Sequence, residues 1–231
     1  MRMAVWVTLS VLIAAGCSHG GGGQSATRQA PNTTAVSGFS PTSTVSPGSK
    51  PPGPSAPPAA GAPISAVITW IEAGHPADPA RYHAVVRDGV TTQLGTDVAF
   101  SVPAAKLDCT TDSAHTGAAL TCLVDLSSPP PRPDTAYGEW KGGWVTFDGA
   151  NLQIGAARAD PGPFVYGNGP DWGGGDTLSY DDYRCRPAPA GLFCVNYARQ
   201  SAVRFSSAGI QQFGCLRSVP PPDGIGVAFS C

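Results

Sequence analysis

The sequence predicts an all-β domain, an antiparallel sandwich or open barrel stapled by disulfides, with one short helix at its N-terminal end. Three observations lead there. Beyond Arg81, short runs rich in Val, Ile, Thr and aromatic residues recur at intervals of about a dozen residues. Gly and Pro, 29 and 24 residues of the 231, break those runs apart, and short strands punctuated in this way build sandwiches and barrels. Six cysteines lie in the same region, several on facing arms of hairpin-like segments.

The helix comes first. Ile64, Val67, Ile68 and Ile71 recur at i, i+3, i+4 and i+7, with Pro63 at its start and Gly74 just past its end. The spacing predicts a helix over residues 64–73, although its β-branched content suits a strand as well. Residues 84–87 and 90–94 flank Asp88-Gly89, the pattern of a hairpin with a two-residue turn. A short apolar run follows at 97–102. Residues 106–109 and 120–126 then flank a polar loop, and Pro129, Pro130, Pro131 and Pro133 end regular structure. Residues 144–147 and 152–155 form another pair about Asp148-Gly149, and 160–176 read as loop. A second cysteine hairpin joins 180–185 to 192–197 through a turn at 187–191. Strands at 202–206 and 210–216 and the tail 224–231 complete the sheet.

Six cysteines allow many pairings. The hairpin reading pairs Cys109 with Cys122 and Cys185 with Cys194, and leaves Cys215 for Cys231. Each bridge closes a short loop and is worth up to about 3 kcal/mol in the chain-entropy model. Disulfides imply an oxidising compartment. No pair of cysteines has the CxxC spacing of zinc or redox sites.

The N-terminus points to the same compartment. Residues 5–17 follow a single basic residue, Arg2, and 12 uncharged residues precede Cys17. A bilayer span needs about 20 apolar residues, so this is the layout of a secretory signal. Ile13-Ala14-Ala15-Gly16-Cys17 resembles the lipobox of bacterial lipoproteins, with Ala14 where that family prefers Leu. The resemblance implies cleavage after residue 16, diacylglyceryl attachment to the Cys17 sulfur and acylation of its new amine. Two or three acyl chains anchor a protein stably where one does not. From 18 to 63, 37 of 46 residues are Pro, Gly, Ser, Thr or Ala, too polar to offset their ordering entropy. Residues 1–16 are therefore read as signal, 17–63 as lipidated cysteine and disordered tether, and 64–231 as the folded domain. The tether's Ser, Thr and Pro content resembles that of O-glycosylated stalks.

The segments Phe100-Ser-Val-Pro103 leading to Cys109, Leu120-Thr-Cys122, Tyr183-Arg-Cys185 and Gly191-Leu-Phe-Cys194-Val-Asn196 resemble a β-rich domain of exported actinobacterial proteins. Trp140-Lys-Gly-Gly-Trp144 and Ser201-Ala-Val-Arg-Phe205 resemble mycobacterial lipoproteins in particular. In the wider actinobacterial group a Gly-His-Gly-Phe element is expected soon after Cys-x-Asn. Here residues 200–205 read Gln-Ser-Ala-Val-Arg-Phe, so no histidine role carries over. The resemblance implies a compartment and a fold, and no activity.

Charge excludes some functions. Residues 64–231 hold 11 basic and 16 acidic residues, giving −5, while the tether holds Arg28 and Lys50 and no acid. An acidic domain has no footprint for nucleic acid or an anionic membrane. Motifs for nucleotide, metal or cofactor binding are missing. His83, beside Tyr82, is the one histidine placed to act as a base, and it would need a serine and a carboxylate. Asp171, Asp176, Asp181 and Asp182 offer hard oxygens without a calcium-loop pattern. Trp140, Trp144, Tyr166 and Trp172 are the candidate ligand-binding residues, since aromatic faces on a rim stack on sugars or grip acyl chains. Among them Trp172, set between Gly, Pro and Asp, has the least prospect of burial. The expectation is a membrane-anchored, non-catalytic envelope module whose partner is a cell-wall glycan, a lipid or an envelope protein. The alternative is an envelope hydrolase acting on a glycan.

Overall fold

In the computed structural model, residues 53–158, 161–189 and 191–231 are described. The residues read as signal, Cys17 and those read as tether as far as residue 52 lie outside them. Helix α1 (Ile64–Glu72) carries the expected stripe, with Val67, Trp70 and Ile71 buried. Pro63 stands at the N-cap in extended conformation. At the other end the Ile71 and Trp70 carbonyls, which accept from Gly74 N and Ala73 N, also take side-chain donors: Thr177 Oγ1 to Ile71 O at 2.6 Å and Arg186 Nη1 to Trp70 O at 2.5 Å. Burial of the stripe overrides the β-branched propensity.

The strands are β1 (Ala84–Arg87), β2 (Val90–Gln93), β3 (Ala99–Val102), β4 (Leu107–Thr111) and β5 (Leu120–Val124). Then come β6 (Glu139–Phe147), β7 (Asn151–Arg158), β8 (Leu178–Tyr180), β9 (Tyr183–Ala188) and β10 (Gly191–Asn196). The last are β11 (Ser201–Ser206), β12 (Gly209–Gly214), β13 (Arg217–Val219) and β14 (Ile225–Ser230). Seven form an antiparallel sheet in the order β13-β14-β7-β6-β5-β4-β3, and five form a second, β12-β11-β10-β9-β8. β1 and β2 stand apart as a hairpin, turned by Asp88 and Gly89 at φ 51° and 78°, the geometry of a type I′ turn.

The two larger sheets share one core. Phe147, Leu152 and Val145 of the first meet Leu192, Val203 and Phe205 of the second in a single buried cluster. Tyr183 bridges the layers, its hydroxyl donating to Phe147 O at 3.0 Å. All of β10 is buried because both its faces are covered. Leu192 and Cys194 face the sheet-to-sheet core, while Phe193 and Val195 pack under α1 with Trp70 and Phe213. The molecule is therefore a sandwich with a helix laid on one outer face.

All three expected disulfides form. Cys109 and Cys122 are register partners on β4 and β5, as are Cys185 and Cys194 on β9 and β10. Their Cα atoms lie 4.1 and 4.0 Å apart, the close approach typical of non-hydrogen-bonded antiparallel pairs. Cys215 joins Cys231 and ties the chain end to the segment after β12.

Several boundaries differ from the sequence reading. Residues 180–185 are not one strand: Asp181, at φ 40°, and Asp182 turn β8 into β9. The turn expected at 187–191 is shorter, since β9 runs through Pro187 to Ala188. Proline is tolerated there because β8 stops pairing at Cys185, leaving no ladder on that side for the missing N–H. β6 and β7 outrun their apolar runs, passing a register shift between Lys141 and Val145. The short helix α2 (Ser113–Thr116) and strand β13 carry no apolar period and escaped the sequence reading. Residues 53–63, assigned to the tether, lie on the domain. Gly53 sits against Ala73, and Ala62 N donates to Ala59 O in the turn before α1.

Candidate functional site

Two of the four aromatic candidates are core residues. Trp172 is 2% exposed. Its loop is laid on the edge of β3: Ser101 N donates to Pro170 O at 3.0 Å and Trp172 N to Ser101 O at 2.7 Å. With the loop backbone paired, the Trp172 ring enters the core between Phe100 and Tyr82, at 5.0 and 5.7 Å between centroids. The expectation of an exposed Trp172 is thus corrected. A glycine-rich loop can be as well anchored as a strand when a sheet edge accepts it. Gly169 shows how closely it approaches, because a Cβ there would lie 2.1 Å from the Ala99 carbonyl carbon.

Trp144 is corrected likewise: it is 3% exposed, against Phe164 and beneath the Arg158 guanidinium. Trp140 is half-buried and donates to Pro130 O at 3.3 Å. Tyr166 alone is open, in the turn at Gly162–Tyr166. The four do not converge on a rim.

A cleft does form nearby, and of the sequence candidates it takes in Trp172 and Asp171. It encloses about 640 Å³, open to solvent, and its walls are mostly apolar. Trp70 and Trp172 line its base, Val102 to Ala104 one side, Gly173 to Gly175 another, and Pro187 to Pro189 a third. Arg186 is the cation within it. Its guanidinium stacks 4.3 Å over the Trp70 ring and donates from Nε to Gly175 O at 2.8 Å, besides the bond to Trp70 O. Desolvation lowers the Arg186 pKa, and nearby Asp176 opposes that shift. The buried indole N–H groups of Trp70 and of Trp172 have no partner among the described residues. Asp171 stands exposed at the rim. Ser55 and Pro57 complete the wall, while Pro54, Ala56 and Pro58 lie over a shallower hollow shared with Ser65, Thr69 and Trp70.

Trp70 was legible as a helix residue three places after Val67. Arg186 was not, because its partners are 116 and 11 residues away in sequence.

The remaining polar candidates are held structurally. His83 Nδ1 lies 2.8 Å from the backbone oxygen of Asp97. The Asp97 carboxylate accepts from Thr111 Oγ1, Ser113 N and Ser113 Oγ. His115 pairs with Asp112 at the surface. Asp181 and Asp182 border a polar groove with Asp148 and Arg199, and Asp148 Oδ1 caps the β6–β7 turn through Ala150 N and Asn151 N. Among the described residues no cluster of His, Cys, Asp or Glu is arranged to hold a metal ion.

No protein-family model matches this chain, and no curated protein or solved structure is similar to it.

Proposed function

We propose that this chain is a lipid-anchored lipoprotein of the outer face of the cell membrane, and that its β-domain is a non-catalytic module binding an envelope component in the Trp70–Trp172 cleft. The cleft carries the reading. A mostly apolar concavity with a few fixed polar groups is the usual form of a binding site, and Arg186 is locked in place by two carbonyls and an aromatic face before any ligand arrives. The location rests on the lipobox-like residues 13–17 and on the three disulfides, which suit an oxidising compartment. His83, the base a hydrolase would need, has Nδ1 against the Asp97 backbone oxygen and is hydrogen-bonded to neither a serine nor a carboxylate among the described residues.

Two experiments test it. Cys17→Ala moves the protein from the membrane fraction to the soluble one, and mass spectrometry of the wild-type protein finds acyl chains on residue 17; an unmodified start ends the anchoring claim. Ala104→Trp fills the cleft from an exposed position on its wall. Immobilised wild-type domain retains envelope material that the Ala104→Trp domain does not, and equal retention by both ends the binding claim.

A further inference from the structure

Ser49–Cys231 is one compact unit holding both hydrophobic clusters and all three disulfides, so it folds as a self-contained domain. Its disulfides are of two kinds. Cys109–Cys122 and Cys185–Cys194 each join neighbouring strands of one sheet, and all four residues lie in the shared core at no more than 1% exposure. Cys215–Cys231 differs on both counts. Cys215 follows β12 of the five-stranded sheet and Cys231 follows β14 of the seven-stranded sheet, so this bridge ties one sheet to the other. It belongs to neither hydrophobic cluster, with Cys215 half-buried and Cys231 exposed.

Thiol–disulfide exchange begins when a thiolate reaches a disulfide sulfur, so access decides which bridge reacts. The core bridges are reached only when the domain opens, whereas Cys231 is open in the folded state. The two sulfurs of the outer bridge also differ. Cys215 Sγ lies 3.4 Å from the Arg199 carbonyl oxygen, and Cys231 Sγ lies 3.9 Å from that of Gly149. The closer oxygen and the lower exposure screen Cys215 from an incoming anion, which leaves Cys231 as the sulfur attacked. Cys215 is then the leaving group, and once protonated its thiol can donate to the Arg199 oxygen already beside it.

The segment closed by this bridge can loosen without emptying the core. Among residues 215–231 only Leu216 and Ala228 are buried. β13 is exposed throughout and pairs with β14 alone, while β14 keeps its own ladder to β7. We propose that Cys215–Cys231 is an exchange site for a small-molecule thiol, a redox latch between the sheets that opens while the core disulfides stay closed. The thiolate bonds to Cys231 Sγ as the S–S bond breaks and its electron pair leaves on Cys215 Sγ, which takes up a proton. A second thiol then displaces Cys231 from the mixed disulfide. Two thiols are thereby oxidised to their disulfide, and the bridge is reduced to two cysteine thiols. The site is separate from the Trp70–Trp172 cleft and does not depend on what binds there.

The test exposes oxidised Ser49–Cys231 to reduced glutathione, traps free thiols with N-ethylmaleimide at intervals, and locates label and adduct by peptide mass spectrometry. Unfolding populates the open state at about 10⁻³ or less, so Cys215 and Cys231 react more than about tenfold ahead of the other four cysteines. The first glutathione adduct is on Cys231, and in denaturant the lead disappears. A smaller lead overturns the proposal, as does a lead that persists in denaturant, where access no longer depends on the fold, or a first adduct on Cys215. Hydrogen exchange of the reduced form quickens within residues 215–231 and not elsewhere. Quickening throughout the domain marks the bridge as a staple of the whole fold and also overturns the latch.

Discussion

Trp172, Gly169 and Tyr197 show how much a single position depends on its surroundings. Trp172 has a loop composition around it and a core position in space, so Trp172→Ala empties the packing against Phe100 and Tyr82. The expected cost is about 3–5 kcal/mol, read as a lowered urea midpoint. Gly169→Ala drives a methyl into the backbone of Ala99 and Phe100. It should destabilise by about 1–3 kcal/mol or more, and a loss under half a kcal/mol by the same assay would show that the loop is not pressed on β3. Tyr197 donates to Glu72 Oε1 at 2.8 Å, and burial first, then the Glu72 carboxylate, push its pKa up from 10.0 to about 12. A raised pKa means the neutral form is favoured in the folded state. Its contribution is therefore complete below pH 10 and disappears as pH climbs through about 12. Tyr197→Phe should flatten the fall in unfolding free energy across that window. At this scale the sequence was least informative: it listed the aromatic residues but not which loop would lie on which edge. Trp140, Trp144, Tyr166 and Trp172 stand out by local composition, and exposure is a property of the neighbours.

Hairpins were much more legible. A two-residue Asp-Gly turn, a run of alternating residues and a cysteine on each arm are all local, so Asp88-Gly89 and the pairs Cys109–Cys122 and Cys185–Cys194 could be read without knowing the sheet. Where a strand's bounds depended on neighbours, the reading slipped. Pro187 looks like a turn residue until β8 is seen to stop short of it. The elements also differ in what they contribute. Replacing Cys185 and Cys194 together by Ala removes a staple from the shared core and should cost about 2–5 kcal/mol in chemical denaturation. The exposed β1–β2 turn matters less. Gly89→Ala puts a Cβ at φ 78°, and the strain of about 1 kcal/mol should lower the melting temperature by only a few degrees.

Across the whole molecule, α1 and the residues before it form the layer that distinguishes this sandwich. Phe193 and Val195 on β10 stay dry only because Val67, Trp70 and Ile71 cover them, so the helix, the five-stranded sheet and the seven-stranded sheet should unfold together. A single calorimetric transition for Ser49–Cys231 is expected, and a separate early loss of α1 would contradict that coupling. The cleft belongs to this scale too, since it draws on residues before α1, on α1 itself, on the segment after β3, on the glycine-rich loop and on β9. From the chain alone came the β-rich class, the N-terminal helix and the disulfide partners, because each follows from periodicity or composition within a few residues. Only the folded arrangement decided that Trp172 and Trp144 are core, that residues 53–58 lie on the domain, and that Arg186 meets Trp70 across 116 residues. Those outcomes rest on contacts between distant segments, whose pairing is chosen by the burial of both faces of β10 and by the free edge of β3.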